Sequence, residues 1–447
     1  MKVADEALYG ASTQRAVLNF PISGHRMPDG FIRSCGLLKL AAAQANLKLG
    51  RLDEEKAVAI EKAAREIAEG KHADQFPVDV FQTGSGTSTN MNVNEVIANR
   101  CSQLAGQPIG SKIPVHPNDD CNLGQSSNDT MPTALHLSVA LALRDELRPA
   151  LKELHKALKA KATVFKKVVK IGRTHLMDAT PLTLGQEFSG YARQLEKGLK
   201  RVDHAVAALR ELAIGGTAVG TGINAHPKFA GEVVSILKEE TKLDLAEAKN
   251  HFEAQAGRDD CVEAAGQLLA IGASLSKLAS DIRLLGSGPR CGLGELQLPA
   301  TQPGSSIMPG KVNPVMCEML IQAGHYANGQ CQTVAACGRD GQFELNVTIP
   351  LIAFSLHEAI RVLANGAATF AGRCVGGLQV NEDAIEQYVK ESLMLVTALN
   401  PHIGYDKASM VAKKAFAEGR TLREVVLEEK LMSANALDKA LDPKKML

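Results

Sequence analysis

Several polar stretches carry residue types suited to chemistry on a small anion. The one that organises the others is Gly-Ser-Ser-Ile-Met-Pro-Gly-Lys-Val-Asn-Pro-Val-Met-Cys-Glu, residues 304–318. Its glycines and serines give a donor-rich backbone, and Asn313-Pro314 reads as a helix N-cap followed by proline at the first helical position. Unpaired N–H groups at such a helix start favour an anion, and Lys311 adds a full positive charge. A carboxylate or a phosphate is the natural guest. Three further stretches have the same character. They are Gln82–Asn90 with Ser85 and Thr87, Val115–Asp129 with Ser126, Ser127 and Asn128, and Gly172–Glu187 with Thr174 and His175. Hydroxyls and amides hold carboxylates, and a histidine moves protons near neutral pH.

The same residues have plainer uses. Asn313, Ser126 and Asn128 can each cap a helix, His175 can be a hydrogen-bonded core histidine, and Glu318 a solvated helix residue. Nucleotide readings fail on spacing. Gly304 to Lys311 is one residue too long for a phosphate loop, with Val312 where serine or threonine is needed. The glycine-rich stretch Gly215–Asn224 follows a helical pattern rather than a strand and lacks dinucleotide spacing. His116 with Asp119 and Asp120 matches no strong ligand motif, so no metal is expected. A small dicarboxylate fits this donor set better than a nucleotide, with Lys311, Lys112 or a histidine supplying charge.

These stretches sit between long helical patterns. Residues 9–28 read as irregular, followed by helices near 35–48 and 53–69. From Thr133 to about Val168, Leu147, Leu151, Leu154 and Leu158 mark one helical face, with a kink expected at Pro149. Residues 172–187 read as the loop joining that helix to another over 183–213, whose Thr183 and Gln186 have capping-box spacing. Further helices cover 255–286, 314–337 and 350–375, and strand-like alternation is nearly absent. Five long helices suit a bundle with polar loops at its ends. Shorter helices around 383–395, 404–418 and 421–429 read as a small C-terminal domain.

Composition narrows the class. The 447 residues carry a formal net charge of +1, which argues against a nucleic-acid footprint or a membrane-surface patch. Nine cysteines without a C-x-x-C pair, and no secretory signal, fit a reducing compartment without disulfides. The expected location is the cytoplasm, or the mitochondrion where a transit peptide has been removed.

The stretches at 82–94, 115–129, 172–187 and 304–318 resemble the signature regions of the class II fumarases, within the fumarase/aspartase superfamily. The likeness extends from Tyr9-Gly-Ala-Ser-Thr-Gln-Arg15 to Leu399-Asn-Pro-His-Ile-Gly-Tyr-Asp-Lys407. Gly-Ser-Ser-Ile-Met-Pro-Gly-Lys-Val-Asn-Pro marks the superfamily as a whole. Gly172-Arg-Thr-His175, Gln82-Thr-Gly-Ser-Gly-Thr87 and Ser126-Ser127-Asn128-Asp129 point within it to fumarase, because aspartases usually carry Gln for His175 and tend to carry Ala for Ser85.

The resemblance implies a mainly α, three-domain fumarase/aspartase-like fold with a central long five-helix bundle. Residues 1–123 would form an N-terminal mostly helical domain, 124–382 the bundle at a tetramer core, and 383–447 a small C-terminal helical domain. It implies reversible anti hydration of fumarate to L-malate through an aci-carboxylate carbanion, without cofactor or metal. Ser305 would take the C3 proton, and Lys311, Asn313 and the loop amides would stabilise the aci-carboxylate. His175 paired with Glu318 would serve the hydroxide or water. Ser85, Thr87, Ser126, Ser127, Asn128 and Thr174 would hold the carboxylates, in sites shared between subunits of a homotetramer. His116, Asn118 and Asp119 would line a second, noncatalytic dicarboxylate site, although Ile113 stands where an arginine is usual. An ammonia-lyase acting on L-aspartate, and a non-catalytic member of the superfamily, remain alternatives.

Overall fold

The computed structural model describes residues 2–447. In chain order the longer part contains α1 (Ala11–Asn19), α2 (Asp29–Lys48), α3 (Glu54–Ala68), α4 (Thr87–Leu104), α5 (Ser127–Ala142), α6 (Arg148–Val164), α7 (Leu184–Ala208), α8 (Phe229–Thr241), α9 (His251–Ala256), α10 (Asp259–Leu285), α11 (Val315–Cys337) and α12 (Ile349–Arg373). The C-terminal part adds α13 (Glu382–Glu391), α14 (Asn400–Ile403), α15 (Tyr405–Glu418), α16 (Leu422–Glu428) and α17 (Ala434–Ala440). Strands are few and form two-stranded pairs. They are β1 (Val169–Thr174) with β2 (Met177–Thr183), β3 (Glu211–Leu212) with β4 (Ala246–Glu247), β5 (Leu296–Gln297) with β8 (Gln379–Val380), and β6 (Gly341–Gln342) with β7 (Leu345–Asn346). The fold is mainly α, as the sequence implied, and the long helices over 314–337 and 350–375 lie within two residues of expectation.

The chain divides into two compact units. One comprises Met1–Ala150, Gly198–Ala273 and Ala323–Asn365; the other comprises Leu151–Lys197, Ser274–Gln322 and Gly366–Leu447. In the first, α2 is buried along most of its length and packs on α3, α5 and α8. Gly36 permits the α2–α3 approach, since a Cβ there would lie 2.7 Å from the Ala68 amide nitrogen. The segment expected to be irregular contains α1. Its start is held from a distance: the Glu95 carboxylate on α4 accepts from the amides of Gly10 (2.8 Å), Ser12 (2.9 Å) and Thr13 (3.1 Å). No local signal announces a helix capped by a residue more than eighty positions away.

The helix expected from Thr133 to Val168 begins earlier and is not continuous. Ser126 caps α5 in a capping box completed by Asp129, whose carboxylate accepts the Ser126 amide at 2.9 Å. One π turn, Leu143–Leu147, separates α5 from α6 just before Pro149. Proline cannot donate to the carbonyl four residues back and its ring crowds it, so the helix widens there.

In the second unit the clearest departure from expectation is the segment read as a loop over 172–187. It is the antiparallel hairpin β1–β2, with Thr174 paired to Met177 and Val169 to Thr183. Its pattern was hidden because β1 ends in a short polar run rather than an alternating one. A buried ionic cluster anchors β1, in which Lys170 lies 3.1 Å from both Glu187 and Glu295, and Arg173 lies 2.6 Å from Glu295. The expected capping box at α7 is present: the Thr183 amide donates to Gln186 at 2.8 Å, and the Gln186 amide donates to Thr183 Oγ1 at 3.0 Å. The C-terminal helices close over Leu399, Val411, Val425, Val426 and Leu437.

Two buried histidines of the first unit make stability depend on pH. His357 Nε2 lies 3.0 Å from Ser138 Oγ, and burial pulls its imidazole from 6.5 down to about 4. Burial, reinforced by Arg258, takes His136 to about 3. A depressed histidine contributes stability that is present above its unfolded pKa and lost as pH falls toward the folded value. Asp129, which burial pushes up to about 6, works in the opposite sense. The contribution of His357 is therefore read by difference. Between pH 6.5 and about 4, wild type should lose stability relative to a His357→Asn variant by up to about 1.4 kcal/mol per pH unit, measured by urea unfolding across that range.

Candidate active site

In the first unit two helix starts present their hydroxyls to each other. Gly86, at φ +78°, turns the chain into α4, whose first residue is Thr87. Ser85 Oγ lies 2.8 Å from Thr87 Oγ1, which lies 2.7 Å from Ser127 Oγ, the first residue of α5. Three hydroxyls from stretches forty residues apart thus form one chain of hydrogen bonds at two helix N-termini. Each can rotate its proton, so a carboxylate entering here meets donors and the positive ends of two helix dipoles. Asn128 Nδ2 donates to the Ala218 carbonyl at 2.8 Å, placing the 215–222 turn beside this cluster. Ser126 has the plainer use, since its Oγ accepts from the Asn128 amide at 3.2 Å as part of the cap.

In the second unit the 304–313 loop closes on itself. The Gly304 amide donates to the Lys311 carbonyl at 2.9 Å, and Asn313 Nδ2 donates to the Gly304 carbonyl at 2.7 Å. Asn313 therefore locks the loop rather than capping α11, which begins at Val315. Gly304 is required by contact: a Cβ there would sit 2.3 Å from the Lys311 carbonyl oxygen. Within this frame Ser305 Oγ accepts from the amides of Ile307 (3.2 Å) and Met308 (3.1 Å). Two N–H groups aimed at one hydroxyl oxygen favour its alkoxide form, which is what a serine needs to act as a base. Lys311 is exposed at the same loop.

His175 occupies the tip of the β1–β2 hairpin. His175 and Leu176 form a two-residue turn with φ of +56° and +63°. Both residues sit in the left-handed region that glycine and asparagine normally fill in such turns, at a cost of about 1–2 kcal/mol each. The imidazole is exposed, which removes the core-histidine alternative, and among the described residues it has no side-chain partner in the chain. Glu318 is half-buried in the first turn of α11 and faces Arg283 at 3.9 Å, so the expected His175–Glu318 pairing is not made within one chain. Thr174 lies beside His175 and is exposed.

The turn before α5 carries the remaining expected residues. His116 Nδ1 accepts from the amides of Asn118 (3.3 Å) and Asp119 (3.1 Å), and the His116 amide donates to Asp120 at 2.7 Å. A cavity of about 480 Å³ opens here, lined among others by Ser12, Glu95, Lys112, His116 and Asn118.

A family profile described as lyase matches residues 1–329, and one described as fumarase C C-terminus matches residues 395–447. A class II fumarate hydratase of Corynebacterium efficiens is 54% identical, over 99% of this chain and 93% of that protein. The chain belongs to the class II fumarate hydratases. A mitochondrial fumarate hydratase of Arabidopsis thaliana is 51% identical over 100% of this chain and 91% of its own length. The crystal structure of a class II fumarase from Schistosoma mansoni matches with a TM-score of 0.96 at 42% identity, covering 100% of this chain and 97% of that one.

The polar residues that hold these segments in place without standing out in the sequence are buried ones. Asp129 is fully buried and accepts from Ser126, Gly215 and Thr217 amides, which pins the 215–217 turn to the start of α5. Glu295 is fully buried under the hairpin. Lys39 is buried behind the Asn122–Gln125 turn. A lysine inside the apolar run Leu38-Lys39-Leu40-Ala41-Ala42 was the available signal for it, since an unpaired buried lysine is rare. Two outcomes follow from the geometry. Leu176→Gly should relieve the turn and raise stability by about 1 kcal/mol in chemical denaturation. Thr87→Val breaks the hydroxyl chain at its centre and should raise KM for a dicarboxylate about tenfold, measured in steady-state assays.

Proposed function

We propose that the protein catalyses the reversible anti addition of water to fumarate, giving L-malate; the relatives it is similar to are named fumarate hydratases. The observation that carries the reading is Ser305, a hydroxyl held under two backbone N–H donors in a loop that also presents a lysine. Removing the C3 proton of malate leaves negative charge on the adjacent carboxylate. The base must be activated and the charge must meet donors already in place, each worth roughly 3 kcal/mol in comparable sites.

Ser305 takes the C3 proton as its alkoxide, and Lys311 with the loop amides stabilises the aci-carboxylate. Asn313 contributes by holding the loop closed through its side-chain amide. Ser85, Thr87, Ser127, Asn128 and Thr174 bind the substrate carboxylates, with Ser126 fixing the helix start behind them. His175, oriented by Glu318 of a neighbouring copy, protonates the leaving hydroxide in dehydration and activates water in hydration. The exposed, unpartnered His175 imidazole and the exposed apolar Leu176, Met177, Ile307 and Met308 support an assembled homotetramer with shared sites. The cavity at Lys112, His116 and Asn118, flanked by Asp119, is read as the second dicarboxylate site. The reaction belongs to the citric acid cycle. No helix among the described residues is long and apolar enough to cross a membrane.

The test is the absorbance of fumarate's conjugated double bond after L-malate or L-aspartate is added to purified protein. A rise with malate alone is expected, whereas a rise with aspartate alone would make the protein an ammonia-lyase. Ser305→Ala and His175→Asn should each lower kcat by about 100-fold or more with helical content unchanged, and near-normal turnover in either would remove its assigned role.

A further inference from the structure

Lys39 breaks a rule that buried charges usually obey. It is 1% exposed, yet its ammonium donates only to neutral acceptors, Asn122 Oδ1 at 3.0 Å and Gln125 Oε1 at 2.9 Å. No carboxylate lies within ion-pair distance of it among the described residues. A buried cation without a partner costs several kcal/mol, and proteins retain such groups mainly where function uses them.

Its partners lead directly to the hydroxyl cluster. Asn122 Oδ1 also accepts from Asn90 Nδ2 (3.1 Å) and Asn94 Nδ2 (3.2 Å) of α4, and Asn122 Nδ2 donates to the Gln125 carbonyl at 3.0 Å. One side-chain oxygen thus gathers donors from α2 and α4 and fixes the turn that runs through Gln125 into Ser126, Ser127 and Asn128. On the far side of this turn the Asp129 carboxylate is engaged by three backbone amides. The cation therefore stands behind the starts of α4 and α5, with no carboxylate in ion-pair contact.

We propose that Lys39 is a positioning residue of the dicarboxylate site, which shapes the Asn122–Ser127 turn and supplies buried positive charge that the bound dianion compensates. The inference deepens the dicarboxylate reading above and rests on it.

The groups around Lys39 make the charge measurable. Burial pulls its ammonium from 10.5 down to about 8. The titratable groups facing it are Cys121 in the turn, Cys35 on its own helix and Asp129 on α5; α4 contributes neutral amides, and α3 and α8 contribute no charge to it. Burial takes Cys35 up to about 12 and Cys121 well above its ordinary value, so both thiols stay neutral near pH 8. Asp129, at about 6, is already ionised there. A dianion near Lys39 favours its charged form, so binding should draw in protons near pH 8, and affinity should fall as pH rises through that value.

The experiment uses full-length protein and succinate, a dicarboxylate that has neither the double bond nor the hydroxyl. Calorimetric titration at pH 8 in two buffers of different ionisation enthalpy gives the affinity and the protons taken up. Wild type should take up a measurable fraction of a proton per site. Lys39→Met should bind about tenfold more weakly with that uptake lost, and its KM for fumarate should rise far more than its kcat falls. Gln125→Glu keeps the lysine and the packing but places a carboxylate on it, and should likewise weaken binding and abolish uptake. Unchanged affinity in both variants, or weaker binding with the wild-type proton uptake, would overturn the proposal. Turnover of malate by wild type is a separate assay, so loss of the hydratase reading is seen there whatever the variants do.

Discussion

Backbone amides that no helix or strand can pair are the constraint around which this structure is arranged. A chain with many glycine-, serine- and asparagine-rich stretches exposes such amides wherever a stretch meets a helix, and an amide left unpaired away from water is costly. Buried carboxylates resolve several of them. Asp79 accepts from Ser23, Gly24 and Phe81, Glu95 from Gly10, Ser12 and Thr13, and Asp129 from Ser126, Gly215 and Thr217. Each carboxylate ties together segments far apart in sequence, and its own burial is tolerable because several donors replace its lost water.

The site residues are what remains once this pairing is complete. At Ser305 two amides converge on a hydroxyl rather than on a carboxylate, and at Ser85, Thr87 and Ser127 hydroxyls pair with one another. A hydroxyl chain satisfies itself in the free protein and can re-aim its protons when an anion arrives, which a carboxylate cannot do. The same logic separates Lys170 from Lys39, both buried cations. Lys170 has Glu187 and Glu295 as counterions and anchors a hairpin, whereas Lys39 has only amide oxygens. Strain follows a similar pattern: the left-handed His175-Leu176 turn is held by a strand whose base is fixed in an ionic cluster.

Much of this was legible in the chain. Helical periodicity located α7, α10, α11 and α12, because amphipathic spacing is a local signal that tertiary packing reinforces. The Thr183–Gln186 capping box was readable for the same reason, since every group in it lies within one turn. The polar stretches and the family they mark are visible as residue types, with Ser305, Lys311, Asn313 and His175 among them.

What the sequence alone determined is therefore the helical class, the family and the inventory of polar groups, all of which depend on short-range order. Tertiary structure alone decided how those groups are used. It gave Asn313 to the loop instead of the helix cap, turned the segment around His175 into a hairpin, left Glu318 facing Arg283, and capped α1 with Glu95. In each case a polar group had more than one acceptable partner within reach of its local sequence. The choice fell to whichever partner the burial of distant apolar faces brought close, and no local pattern encodes that proximity.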